Sequence, residues 1–251
     1  MASTSHQISA GAQANAAVGR RFFTGMALAM LAVAIAGFGP SLVHTAGRRA
    51  PLPPLVAVHG ALFFVWLIIY LIQSRLIATR HIGFHRRVGI AAAFLLAAMV
   101  PIAYASSVAM VRRGFDLSGD QRIDHNAVLT AWFQIGDLLL FTPLAVGAIA
   151  FRRRPDIHKR LMLFANILIL NAPLTHFIGH NPRLFPMIGP LIEVFMAMFL
   201  IPAVARDVWL TKKFRPLTVG LALAIISFGP LGEFVIGPSE TWQRLASWLV
   251  R

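Results

Sequence analysis

Apolar positions in this chain come in long blocks rather than in alternation. They run roughly over 21–39, 54–75, 88–111, 129–151, 161–180, 184–205 and 216–236, with short arginine-rich segments between them. Each block is close to the ~20 apolar residues that carry a helix across a bilayer core of about 30 Å. Lipid offers the backbone no hydrogen-bond partners, so only helices or closed barrels span it. Runs such as Ala91-Ala92-Ala93-Phe94-Leu95-Leu96 lack the two-residue alternation of a barrel strand. The pattern therefore predicts an all-α fold, a seven-helix transmembrane bundle over residues 20–237.

The flanks read differently. Residues 1–19 are small and polar, which predicts a floppy cytoplasmic tail with no cleaved signal ahead of the first span. After Pro238-Ser239, the residues Trp242, Leu245, Ala246 and Leu249 recur at helical spacing while Glu240 and Arg244 fall elsewhere on the wheel. Residues 238–251 thus read as a short amphipathic helix in the outer interface, with Trp242 and Trp248 at headgroup depth.

Composition narrows the choices. With 57% hydrophobic and 13% charged residues in 251, there is no room for a sizeable soluble domain. The absence of cysteine removes disulfides, thiolate metal sites, iron–sulfur ligation and a cysteine nucleophile. The net charge of +14 is spread in small groups between apolar spans. That is a topology signal and implies no nucleic-acid partner. Fifteen of the 23 Lys and Arg residues fall on one side, in the tail and the 2–3, 4–5 and 6–7 loops. The positive-inside bias places the N-terminus in the cytoplasm and the C-terminus outside, as in a multi-pass protein of a bacterial inner membrane. Asp116, Asp120 and Asp124 then lie on the outer side.

One sequence echo stands out. Arg80-x4-His85-Arg86-Arg87 opens the third span, and Arg153-x4-His158-Lys159-Arg160 opens the fifth, 73 positions later. A duplicated helical hairpin, spans 2–3 and 4–5, accounts for this, as does convergent loop chemistry. His59-Gly60, Trp66, Gln73, His85-Arg86-Arg87-x-Gly89 and His158-Lys159-Arg160-Leu161-Met162-Leu163 also resemble the motifs of a family of bacterial polytopic membrane proteins of unassigned activity. The resemblance covers spans 2 to 5, with Val88 where the family pattern has Leu. It implies fold and location but no reaction.

Polar residues inside the bilayer are costly, and so they are the candidates for function. His59, Trp66, Tyr70 and Gln73 form one stripe on span 2, and Gln134 and Asp137 share a face of span 4. His176 and His180 are i, i+4 neighbours on span 5, Glu193 lies on span 6, and Glu233 lies near the outer end of span 7. By helical rise, His59 and His176 lie at similar depth, with Asp137 and Glu193 nearer the midplane. These groups either converge on a polar cavity in the outer half, with His44 above it, or satisfy one another and backbone broken near Pro143, Pro173 and Pro190.

Three chemistries can use such a set. A b-type haem held between His59 and His176 is the leading one, with His85 and His158 serving a second cofactor or a quinone. Arg86, Arg87, Lys159 and Arg160 would then meet propionates or a quinone headgroup, and a redox partner is implied. The architecture broadly resembles diheme b-type membrane cytochromes, without clear motifs of that group. The simpler reading gives His85 and His158 to lipid phosphate. A zinc-dependent lipid hydrolase would use His59, Asp137, His176 and His180, although no H-E-x-x-H signature is present. A proton-coupled transporter or membrane-complex subunit would titrate Asp137 and Glu193, and a carrier this small implies a homo-oligomer. Retinal chemistry lacks an internal lysine, since Lys159, Lys212 and Lys213 all lie at span edges. No glycine precedes a lysine, which excludes a phosphate loop, and no G-x-S-x-G nucleophile elbow occurs.

Overall fold

The computed structural model describes residues 2–43, 51–114, 127–179, 181 and 183–249. His44, Asp116, Asp120, Asp124 and His180 lie outside the described residues. The chain folds as α1 (Ala2–Val43), α2 (Pro54–Ala78), α3 (Ile82–Arg113), α4 (Ala127–Ala150), α5 (Pro155–Leu168), α6 (Asn171–Gly179), α7 (Ile188–Thr211), α8 (Pro216–Leu231) and α9 (Glu240–Leu249). Among the described residues, seven segments are long and apolar enough to cross a membrane: one each in α1–α4, the α5–α6 pair, α7, and α8 with its extension. The protein is an all-α polytopic membrane protein. Large apolar side chains such as Phe94 and Phe234, more than 70% exposed, cover its outer surface as lipid contact requires.

The spans differ from the expected boundaries where polar residues are themselves helical. Span 3 starts at Ile82 rather than 88, and span 5 at Pro155 rather than 161. Pro155 sits at the first helical turn, where its missing N–H costs nothing and its fixed φ suits the helix. His85 and His158 therefore lie one turn inside their helices. The tail expectation also changes, because α1 is helical from Ala2, although only Gly19–Val43 qualifies as span. Ala2, Ala10, Ala12, Ala14, Ala16 and Ala17 give this stretch strong helix propensity, and the adjoining span supplies the nucleus. At its other end, α3 closes on Gly114 in the left-handed region (φ 73°), a backbone shape that favours glycine.

The fifth span is the axis of the bundle. Of its most apolar window, 61% is buried, against 17–28% for the other spans. α5 contacts α1, α4, α7 and α8, while α1–α2, α2–α3, α3–α4, α6–α7 and α7–α8 pack as neighbours around it. The core joins Met30, Trp66, Met99, Phe141, Phe164, Leu168 and Met196. This axis is broken at 169–170. Pro173 has no N–H, and its ring crowds the carbonyl of Ile169 four residues back, so the helix ends and restarts as α6. Pro143 sits mid-helix in α4 without interrupting it, and Pro190 falls in the first turn of α7. Of the breaks expected near three prolines, only the one ahead of Pro173 forms.

α9 is amphipathic, and it docks on the bundle. Trp242 and Ala246 are buried with Val111, Ala131 and Ile135, and the Trp242 ring meets Trp132 edge-on at 5.3 Å. Trp248 points away and is exposed. Ser239 starts the helix by accepting a hydrogen bond from the Trp242 N–H (3.2 Å). The π-turn at Gly232–Ile236 feeds this contact, because a side chain at Gly232 would run into the Trp132 indole.

Candidate functional site

The α2 stripe faces the interior as its spacing requires. Trp66 and Tyr70 are buried, and Trp66 meets Phe141 of α4 edge-on at 5.8 Å. His59 Nδ1, Trp66 Nε1, the Tyr70 hydroxyl and Gln73 Oε1 are all buried without a hydrogen-bond partner among the described residues. Ser74 lies near the Tyr70 hydroxyl but outside hydrogen-bonding geometry. Buried polar atoms are normally paired, so a row of four on one helix face marks a place that water or a ligand would satisfy. At the end of the stripe nearest the start of α2 the His59 ring lies against Phe63 (4.7 Å). The other far-end imidazole, His176 on α6, lies against Phe38 of α1 (4.9 Å).

At the basic end of the bundle the sequence echo becomes a contact. The rings of His85 on α3 and His158 on α5 meet at 6.3 Å between centroids, with planes 84° apart. His158 Nδ1 bonds the Ala148 carbonyl at 2.7 Å, which fixes its ring on the end of α4 and leaves Nε2 to act. The backbone of Gln73 lies beside the His85 ring, whose Nδ1 is buried and unpartnered among the described residues. Each imidazole is thus set by a neighbouring helix end and keeps a nitrogen available. Gly89, one turn above His85, admits the Gln73 amide between α2 and α3: a side chain there would stand 3.3 Å from Gln73 Nε2. Arg86 and Arg87 are exposed beside the pair, Arg87 over the Phe84 ring at 5.6 Å.

Asp137, Glu193 and Glu233 have separate neighbours. Asn171 Nδ2 donates to Asp137 Oδ1 at 2.9 Å, tying α4 to the break in the fifth span. Gln134, one turn earlier on α4, donates to the Met110 sulfur of α3 at 3.2 Å. Glu193 lies beside Gly229 of α8, and Glu233 beside Gly189 of α7. Among the described residues, no three of His, Asp and Glu gather as a metal ion would need, so His59, Asp137 and His176 do not form a zinc site there. Replacing Asn171 with Ala leaves the Asp137 carboxyl buried without its partner. A loss of about 1–3 kcal/mol is expected, read as a lowered melting temperature in detergent. A melting temperature equal to wild type would mean that this bond does not support the break.

Sequence reading missed one buried charge cluster. Arg160, expected to face headgroups or propionates, is buried and turned inward. Its Nε and second guanidinium nitrogen bond the two oxygens of Asp207 on α7 at 2.5 and 3.1 Å. A third contact runs to the backbone carbonyl of Asp156. Thr218 of α8 donates to Asp207 Oδ2 at 2.5 Å. The Arg206 guanidinium lies over the rings of Phe22 (5.2 Å) and Phe23 (4.8 Å). The available signal was an aspartate beside an arginine just past the apolar block 184–205, where α7 continues to Thr211 and carries both a turn inside its end. The cluster joins α5, α7 and α8 where the basic loops emerge. No protein-family model, curated protein or solved structure matches this chain, so its site has to be read from its own geometry.

Proposed function

We propose that this protein is a redox protein of a bacterial inner membrane, N-terminus cytoplasmic and C-terminus periplasmic, that holds a b-type haem or a quinone headgroup at His85 and His158. The loop charge bias supports the orientation, and the motif resemblance supports the location. The observation that carries the chemistry is the meeting of the two imidazoles at 6.3 Å with near-perpendicular planes. His85 and His158 would be the residues to hold a haem iron, through ring nitrogens that their neighbours leave free. A quinone carbonyl would accept its hydrogen bond from His85, because the His158 ring proton is spent on the Ala148 carbonyl.

When bound, a haem would supply one-electron transfer and a quinone would carry electrons with protons. The chain's own residues orient and enclose the group. Ala148 fixes the His158 tautomer, the α2 face excludes bulk water, and exposed Arg86 and Arg87 lie ready for propionates or headgroup oxygens. The unpartnered His59 Nδ1 and Trp66 Nε1 support a hydrated pocket in the outer half.

Oxidised and dithionite-reduced visible spectra of detergent-purified protein, with quinone extraction from the same sample, test this reading. The expected result is a Soret band or bound quinone that is lost in both His85→Ala and His158→Ala but retained in His59→Ala. A colourless, quinone-free preparation overturns it. A second reading, a small proton-coupled transporter, draws on one observation: the fifth span is broken beside the Asp137–Asn171 pair, and discontinuous helices are a recurring feature of carriers.

A further inference from the structure

The charge cluster at the basic end does not balance. Asp207 spends both oxygens on Arg160 and one of them also on Thr218. Its remaining contact, to Arg206, is long at 3.5 Å. Arg206 Nε is buried without a partner among the described residues. Lys159, half-buried on the first turns of α5, lies within electrostatic reach of Arg206, Arg160, Asp207 and Asp156 and makes no ion pair within 4 Å among the described residues. Asp156, the other acid nearby, is exposed and shared between Arg160 and Arg215 at 3.8 Å each. Two cations, each partly removed from water, thus share one carboxylate that Arg160 and Thr218 already engage. That arrangement is unfavourable unless an anion bridges them.

The place decides which anion. Arg206 lies one turn from the end of α7, Lys159 one turn from the start of α5, and Gly19, where the first span begins, abuts the Arg206 guanidinium. All three mark the depth of lipid headgroups. Phe22 and Phe23 lie directly beneath the guanidinium and offer an apolar floor. Basic pockets between transmembrane helices on the more basic side are where acidic headgroups settle. We infer that Lys159 and Arg206 form a site for the phosphate of one acidic phospholipid, with its acyl chains lying along α1 at Phe22 and Phe23. Arg160 takes no part, since Asp207 occupies it. This site is independent of the His85–His158 pair.

Native mass spectrometry of the delipidated full-length protein in detergent tests it, with phosphatidylglycerol and phosphatidylcholine titrated in parallel. One phosphatidylglycerol is expected to bind about tenfold more tightly than phosphatidylcholine. Lys159→Gln and Arg206→Gln should each weaken it about tenfold, whereas Lys159→Arg should keep it and Arg86→Gln should leave it unchanged. If Arg206→Gln fails to fold, Lys159→Gln and Lys159→Arg carry the comparison. Equal binding of the two lipids, or binding indifferent to Lys159→Gln, overturns the site. Displacement by an equal concentration of inorganic phosphate overturns the lipid as its occupant.

Discussion

Asp207→Ala is expected to lower the melting temperature of the detergent-solubilised protein by about 10 °C, or to abolish its recovery as a monodisperse species. The substitution strips Arg160 of both Asp207 bonds, leaving it only the longer contact with exposed Asp156, and strips Arg206 of its nearest acid. Breaking a buried pair from one side costs about 3–5 kcal/mol. In a chain of this size each kcal/mol moves the melting temperature by about 2–4 °C. Thr218→Val removes one bond to the same carboxylate and should cost less, about 1–2 kcal/mol. Arg160→Met combined with Asp207→Leu removes donor and acceptor together and should recover much of the loss, because an apolar pair of similar volume carries no desolvation penalty. Fluorescence-detected size exclusion after heating measures all three. An Asp207→Ala protein melting within about 2 °C of wild type would show that the cluster does not hold the fold.

The second large effect concerns backbone spacing. A Cβ at Gly37 would overlap the backbone carbonyl, carbonyl carbon and Cα of Pro173. Rigid backbone cannot yield as a side-chain tip can, so α1 must move off α6 to make room. Gly37→Ala is expected to destabilise by about 1–3 kcal/mol, and Gly37→Val by more. Gly25 and Gly39, on the same helix, face open space. Alanine there should be neutral or should stabilise by up to about 1 kcal/mol through helix propensity. The contrast within one helix separates contact from composition. If Gly37→Ala and Gly39→Ala melt alike, α1 and α6 do not approach as closely as described. Small residues at such crossings are the usual means by which membrane helices come together without a hydrophobic driving force between them.

The seven spans were legible because hydropathy over about 20 residues reports membrane burial directly. Their ends were less so. The polar stretches 82–87 and 155–160 are helical yet lie at the edge of the apolar blocks, where hydropathy no longer reports secondary structure. The α2 stripe followed from periodicity alone and does face inward. The His85–His158 echo was visible in the sequence, but that the two rings touch was not, since periodicity fixes a face and leaves helix order undetermined. The bond between Asn171 and Asp137 needed that order as well. Arg160 was read as facing outward because its partner lies 47 positions away and carries no local mark of the pairing. For α9, spacing grouped Trp242 and Ala246, which are buried, with Leu245, which is exposed, while the docking partner, Trp132, belongs to a helix more than a hundred residues earlier.

Synthesis of this chain runs against the order in which its central span becomes stable. α5 and α6, at 14 and 9 residues, are each too short to cross a bilayer alone. The first of them carries Arg160 into the bundle before the ribosome has made its bidentate partner, Asp207. Until α7 follows, the axis of the bundle is an interrupted helix bearing a guanidinium whose nearest acid is the exposed Asp156. Insertion of the fifth span is therefore completed by sequence translated after it, and a nascent chain arrested between residues 180 and 200 would leave that segment extractable by alkali.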